Sequence, residues 1–260
     1  MDKKGLQEFL DRKVEEYNRT AFIPDDPVSI PHQFAKQQDI EISGFFAAIF
    51  SWGNRKTIIQ KSRALMQLMD QAPHDFILHH KEKDLRKLLG FKHRTFNDTD
   101  LLYFVRFLHS HYSQHDSLED AFLIHASKNA LAEPWAGSSL NAFHHYFFTL
   151  DEAPPRTFKH IAAPAKQSTC KRLNMFLRWM VRRDSQGVDF GIWNRISPAD
   201  LICPIDVHVA RVAKRLGLLS RKPIDWEAGL ELTAHLRTLD STDPVKYDFA
   251  LFGLGVVEHY

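Results

Sequence analysis

Cysteine is scarce in this chain, with only Cys170 and Cys203 among 260 residues. Two thiols cannot form a disulfide framework or a four-cysteine metal cluster, and such sparing use suits a reducing cytosol. An excess of one charge is also missing. Thirty-four Lys and Arg face 32 Asp and Glu, for a formal net charge of +2, so any attraction to nucleic acid has to come from a local patch. No apolar run approaches the roughly 20 residues that a membrane span requires, and no membrane partner is expected. Leu6, Phe9, Leu10, Val14 and Tyr17 have helical spacing without the apolar core of a signal peptide. Almost no segment alternates with period two, and repeats are absent. An all-α fold is therefore expected, organised as a single helical unit over residues 1–260.

Three prolines in FIPDDPVSIPHQF punctuate a loop after the first helix. From Asp39 to Met69 the pattern predicts a helix with Ile42, Phe45, Phe46, Ile49 and Phe50 on its apolar face, a break at Trp52-Gly53-Asn54, and a second helix. Between residues 72 and 150, DFILHHKEKDLRKLLG, TDLLYFVRFLHSHYSQ and SLEDAFLIHASKNAL have the spacing of amphipathic helices, the last with Ser117 as its cap. His79, His80, His109, His111, His144 and His145 lie in this section without the HExxH or Cys-plus-His spacing of a metal site. Neither a metal nor another cofactor is expected.

From Pro154 to Arg183 there is no acidic residue, although the stretch carries Arg156, Lys159, Lys166, Lys171, Arg172, Arg178, Arg182 and Arg183. Within STCKRLNMFLRWMVRR, Leu173, Phe176, Leu177 and Met180 form one stripe, and Lys171, Met175, Arg178 and Arg182 lie along another face. One face packs and the other presents cations, either as an ordinary solvated surface or as a ridge that meets successive phosphates. Ser168-Thr169 is the expected cap, which places Lys171 in the first turn.

The stretch LICPIDVHVARVAKRLGL, Leu201 to Leu218, brings an apolar run to a lone carboxylate and then to a patterned helix. Asp206 stands where a cap should, Val209, Val212, Ala213 and Leu216 make the buried stripe, and Gly217 ends the helix. On these grounds alone Asp206 is a capping residue of a core helix. DPVKYDFALFGLG then predicts a last helix starting at Asp243-Pro244 and stopping at Gly253.

The order Pro204, Ile205, Asp206, His208, Val209, Arg211, Val212, Arg215, Leu216, Gly217 resembles the aspartate segment of the helix-hairpin-helix DNA glycosylase superfamily, which includes endonuclease III-like and 8-oxoguanine glycosylases. Within that superfamily the chain looks most like an uncharacterised bacterial family and the archaeal 8-oxoguanine enzymes. The likeness covers about 39–69 and, more fully, 166–255, with the helical middle section 72–150 adding little. It implies a two-lobed all-α fold with a cleft between the lobes, acting as a monomer on duplex DNA with a damaged base. Asp206 would be the electrostatic and general-base residue and Lys171 the nucleophile or lyase amine, which attacks sugar C1′ once neutral. Arg55, Lys56, Lys166, Arg172, Arg178, Arg182 and Arg211 would bind nucleic acid, and Asp189, Phe190, Trp193 and His208 would line the pocket of the extruded base. The chain departs from the pattern in two places. AAPAKQSTC stands where endonuclease III-like members have a Gly-x-Gly hairpin, and Gly53 or Asn54 stands where many members have a glutamine wedge. The rival expectations are a catalytically inactive nucleic-acid-binding protein of the same fold and a helical scaffold protein.

Overall fold

Many of the helices begin where a short polar side chain takes up their first amides. The computed structural model describes residues 2–124 and 135–260, and of these 64% are in α or 3-10 helix and 2% in strand. Asp2 caps α1 (Lys3–Tyr17), Lys36 precedes α2 (Gln37–Ile49), and Asn54 caps α3 (Arg55–Leu68). Next come α4 (Pro73–His79) and α5 (Glu82–Leu85). The spacing predicts one continuous helix here, but His80 leaves the helical region at ψ 145° and the Asp84 carboxylate accepts from Lys81 N to start a new turn. A hairpin of β1 (Lys92–His93) and β2 (Phe96–Asn97) leads into α6 (Asp98–Tyr112), whose start is closed reciprocally by Asn97 and Asp100.

Beyond it lie α7 (Glu119–Leu123), α8 (Trp135–Phe147), α9 (Lys171–Val181), α10 (Val207–Arg215), α11 (Trp226–Leu239) and α12 (Tyr247–Val256). The cap of α7 is Leu118 rather than Ser117, whose hydroxyl accepts from Glu119 N and donates to Glu41. The rest of that predicted helix, 125–131, lies outside the described residues. Among the described residues no helix is long and apolar enough to cross a membrane.

The chain divides into two compact units that interleave in sequence. One holds residues 2–23, 135–137 and 163–260, and the other 24–124 and 138–162. The second unit is built on phenylalanine. Phe45, Phe46, Phe96, Phe104 and Phe147 are fully buried, and Phe104 meets Phe147 edge-on at 4.7 Å and Phe96 at 5.2 Å, the geometry that aromatic quadrupoles favour. Polar pins cross this core. Glu41, inside α2 and without solvent exposure, accepts from Tyr112 Oη at 2.7 Å, Ser117 Oγ at 2.6 Å and Leu118 N at 2.9 Å. It thereby holds the end of α6 and the start of α7.

In the first unit α1 and α10 both pack on α12. A Cβ at Gly253 would come within 2.2 Å of the Tyr17 ring, so only glycine admits the contact of α1 with α12. This glycine serves packing rather than termination, and α12 runs on to Val256. The predicted end of α10 does hold. Leu218 N reaches Ala213 O and Gly217 N reaches Lys214 O, with Gly217 at φ +73°, the paired bonds of a Schellman cap.

Two tests follow from this packing. Phe104→Ala should lower the unfolding free energy by about 3–5 kcal/mol, measured by urea titration; a loss within about 0.5 kcal/mol, typical of a surface site, would contradict the aromatic core. His111, fully buried between Tyr146 Oη and Ser117 O, is pushed by burial from 6.5 down to about 4. Between those pH values the unfolded chain binds a proton that the native protein does not, so stability falls as pH drops from 6.5 towards 4. The parent should lose stability more steeply across that window than His111→Gln, and equal slopes would remove His111 from the acid response.

Candidate active site

The segment before α9 turns twice through the left-handed region without glycine, at Gln167 (φ +55°) and Cys170 (φ +50°). Cys170 is the capping position but contributes no side-chain bond; Thr169 Oγ1 instead accepts from Lys171 N at 3.4 Å, and Asn174 Nδ2 ties down Thr169 O at 3.0 Å. Lys171 is thereby the first residue of α9. On α10, Leu201 to Ile205 are buried and deliver Asp206 to the capping position. The two carboxylate oxygens have separate partners. Oδ1 accepts from His208 N at 2.9 Å and Val209 N at 3.0 Å, while Oδ2 lies 3.7 Å from Lys171 Nζ. Both side chains keep about a quarter of their surface exposed, 27% for Lys171 and 24% for Asp206. An amine and a carboxylate so placed can exchange a proton directly or through one water, next to solvent that a ligand can displace.

Beneath this pair lies a buried ionic network. Arg178, two turns along α9 from Lys171, is 5% exposed; it donates to Asp189 at 3.3 Å and to Asp248 on α12, with its guanidinium 4.2 Å over the Phe249 ring. Arg182, 3% exposed, binds Asp184 at 2.5 Å, Asp189 at 3.2 Å and Asp243 at 2.8 Å, and Asn18 Nδ2 also donates to Asp184. Four carboxylates thus surround two guanidinium groups. Burial pushes Asp248 up to about 6, in spite of the attraction of Arg178 and Lys171, and it also raises Asp189 and Asp243.

Residues 26–257, most of the chain, match a family profile described as protein of unknown function, DUF2400. The chain belongs to the DUF2400 family. Comparison with curated proteins gives no match, and neither does comparison with solved structures.

In this DUF2400 chain the predicted pair, Lys171 and Asp206, comes together, and the predicted cationic ridge does not. Arg178 and Arg182 are corrections: they point into the fold, because the acids that neutralise them arrive from the 184–189 loop and the 243–248 segment, outside the acid-free run. Asp189 is likewise a buried ion-pair partner rather than a pocket wall. Trp193, 2% exposed, anchors its loop edge-on to Phe176 at 5.3 Å, with its amide on Met180 O. Phe190 is half-buried and its amide bonds Trp179 O. His208 is exposed on the first turn of α10, next to Asp206. Arg211 donates to Gly255 O at 2.7 Å and Tyr260 O at 3.1 Å, so it closes the end of α12. Arg172 is half-buried, and burial lowers its guanidinium to about 10. Lys166 is exposed on the turn before α9. Arg55, half-buried, and Lys56, exposed, open α3 in the other unit.

Asp248 was not among the residues expected at the site. The signal that singled out Asp206, a lone carboxylate in an apolar setting, is also present in YDFALFGL. Between about pH 4 and 6 native Asp248 keeps a proton that the unfolded chain, at 3.8, has released, so its contribution to stability falls as pH rises through that window. The carboxyl carbon resonance of Asp248 should titrate with a midpoint near 6, and a midpoint near 4 would show that burial does not control it.

Proposed function

We propose that this protein is a DNA glycosylase of the helix-hairpin-helix type, which extrudes a damaged base from duplex DNA and cleaves its N-glycosidic bond. The observation that carries the reading is the 3.7 Å approach of Lys171 Nζ to Asp206 Oδ2, made by the two side chains that the superfamily resemblance singles out. The left-handed residues Gln167 and Cys170 support it as well, since they give the turn before Lys171 a backbone that a glycine-rich hairpin would otherwise supply. Within this reading, the Lys171 ammonium passes a proton to Asp206, the free amine attacks C1′ as the C1′–N bond breaks, and the base leaves with its electron pair and takes the proton from Asp206, which is thereby ionised again. Asp206 next takes a proton from the attached nitrogen and gives it to O4′ as the freed lone pair expels that oxygen, opening the sugar to a protonated imine. Asp206 steadies the positive charge that develops at C1′. An oxidised purine is the proposed lesion, by analogy with the archaeal enzymes.

The test is covalent trapping. Borohydride reduces an imine to a stable amine, so incubation with a lesion-containing duplex should yield a cross-linked complex that Lys171→Gln abolishes. Asp206→Asn should slow base release by about 10²–10⁴-fold. Undiminished trapping in Lys171→Gln would dismiss Lys171 as the amine, and base release without trapping would mean water attack assisted by Asp206. If duplex DNA does not bind even at low salt, the nucleic-acid reading fails altogether.

A further inference from the structure

The hairpin of the second unit carries an arginine in an unusual setting. Lys92 pairs with Asn97 and His93 with Phe96, which leaves Arg94 and Thr95 as a two-residue tip. Arg94 has φ +54°, a left-handed conformation that glycine, asparagine or aspartate adopts at lower cost in such a tip. The tip is braced from two sides. His93 Nε2 donates to Phe50 O at 2.9 Å, at the end of α2, and Arg156 Nη2 donates to Thr95 O at 2.8 Å while lying 3.2 Å from the buried carboxylate of Asp100. Asp100 is itself held by Thr157 Oγ1 and Asn97 N.

This bracing sets the Arg94 side chain on Gly53, in the break between α2 and α3. A Cβ there would stand 2.7 Å from Arg94 Nη1 and 3.2 Å from its Cδ, and Gly53 has φ +101°. The backbone angle favours glycine here, and the absence of a side chain lets the Arg94 guanidinium lie against the break. Yet Arg94 is exposed, and its guanidinium has no hydrogen bond or ion pair with the described residues. Half-buried Trp52 precedes Gly53 and meets His93 edge-on at 4.8 Å, which ties the break to the hairpin from a third side. A strained backbone, a double brace and a glycine seat hold one cation that the fold itself does not use. Strain kept where nothing in the fold needs the side chain points to a ligand.

We propose that Arg94 is a phosphate-binding residue, its planar fork taking a backbone phosphodiester of duplex DNA at the α2–α3 break. This rests on the DNA-binding reading above and adds to it a contact in the other unit from Lys171 and Asp206.

The test is binding of a fluorescent duplex by anisotropy, from about 50 to 200 mM salt, for the parent, Arg94→Gly and Arg94→Lys. Glycine suits the left-handed tip, so Arg94→Gly should melt at the parent temperature or above. It should also bind several-fold more weakly at low salt, with the slope of log K against log salt reduced by about 0.9. Arg94→Lys, which keeps the charge without the fork, should keep the slope and bind less tightly. If the parent binds with a normal salt slope and Arg94→Gly matches it, Arg94 is not a phosphate contact and the DNA-binding reading stands. A weaker Arg94→Gly with an unchanged slope would overturn the assignment too, as would a lysine variant that loses the slope. Absence of parent binding at low salt would remove both proposals.

Discussion

The buried meeting of Arg178 and Arg182 with Asp184, Asp189, Asp243 and Asp248 is the constraint on which the first unit depends. These charges lie in low dielectric, where removing one partner typically costs about 3–5 kcal/mol because the other is left uncompensated. The acids come from the loop after α9 and from the approach and first turn of α12, so the network fixes the rotation of α9 about its axis. That rotation decides where Lys171, two turns before Arg178, points. With α10 packed on α12, the lysine at one helix start and the aspartate at another face each other as a consequence of the same packing.

Asp206 serves two neighbours with one side chain, its own helix and Lys171. Its Oδ1 satisfies two amides of α10, those of His208 and Val209. Its Oδ2 is left for Lys171. Capping therefore leaves the second oxygen unoccupied by the helix and turned towards Lys171. Asp248, buried below and carrying a proton up to about pH 6, adds a second carboxylate to the electrostatics of the lysine.

Local patterns were legible where the physics is local. The break at Trp52-Gly53-Asn54, the Asp206 cap, the α10 stripe and its glycine terminator depend on residues within a few positions of one another, and all are present in the fold. Reading failed where a distant group intervened. The acid-free run from Pro154 to Arg183 looked like a cationic ridge because its counter-charges lie outside it; Arg178 and Asp248 are 70 residues apart. Gly253 looked like a helix stop because a glycine's packing partner, here Tyr17 on α1, cannot be inferred from its neighbours. A lone arginine in a turn, such as Arg94, has no distinguishing pattern in the sequence, because its backbone angle and its seat on Gly53 exist only in the fold.

By itself the sequence determined the helical class, the break after α2 and the identity of a carboxylate poised at a helix cap, because hydrophobic period and capping chemistry act over one or two turns. Only the tertiary structure decided which cations are buried and which remain available, and that Lys171 stands opposite Asp206. Those outcomes depend on pairings across tens of residues, where burial removes a charge from water unless another segment arrives to neutralise it.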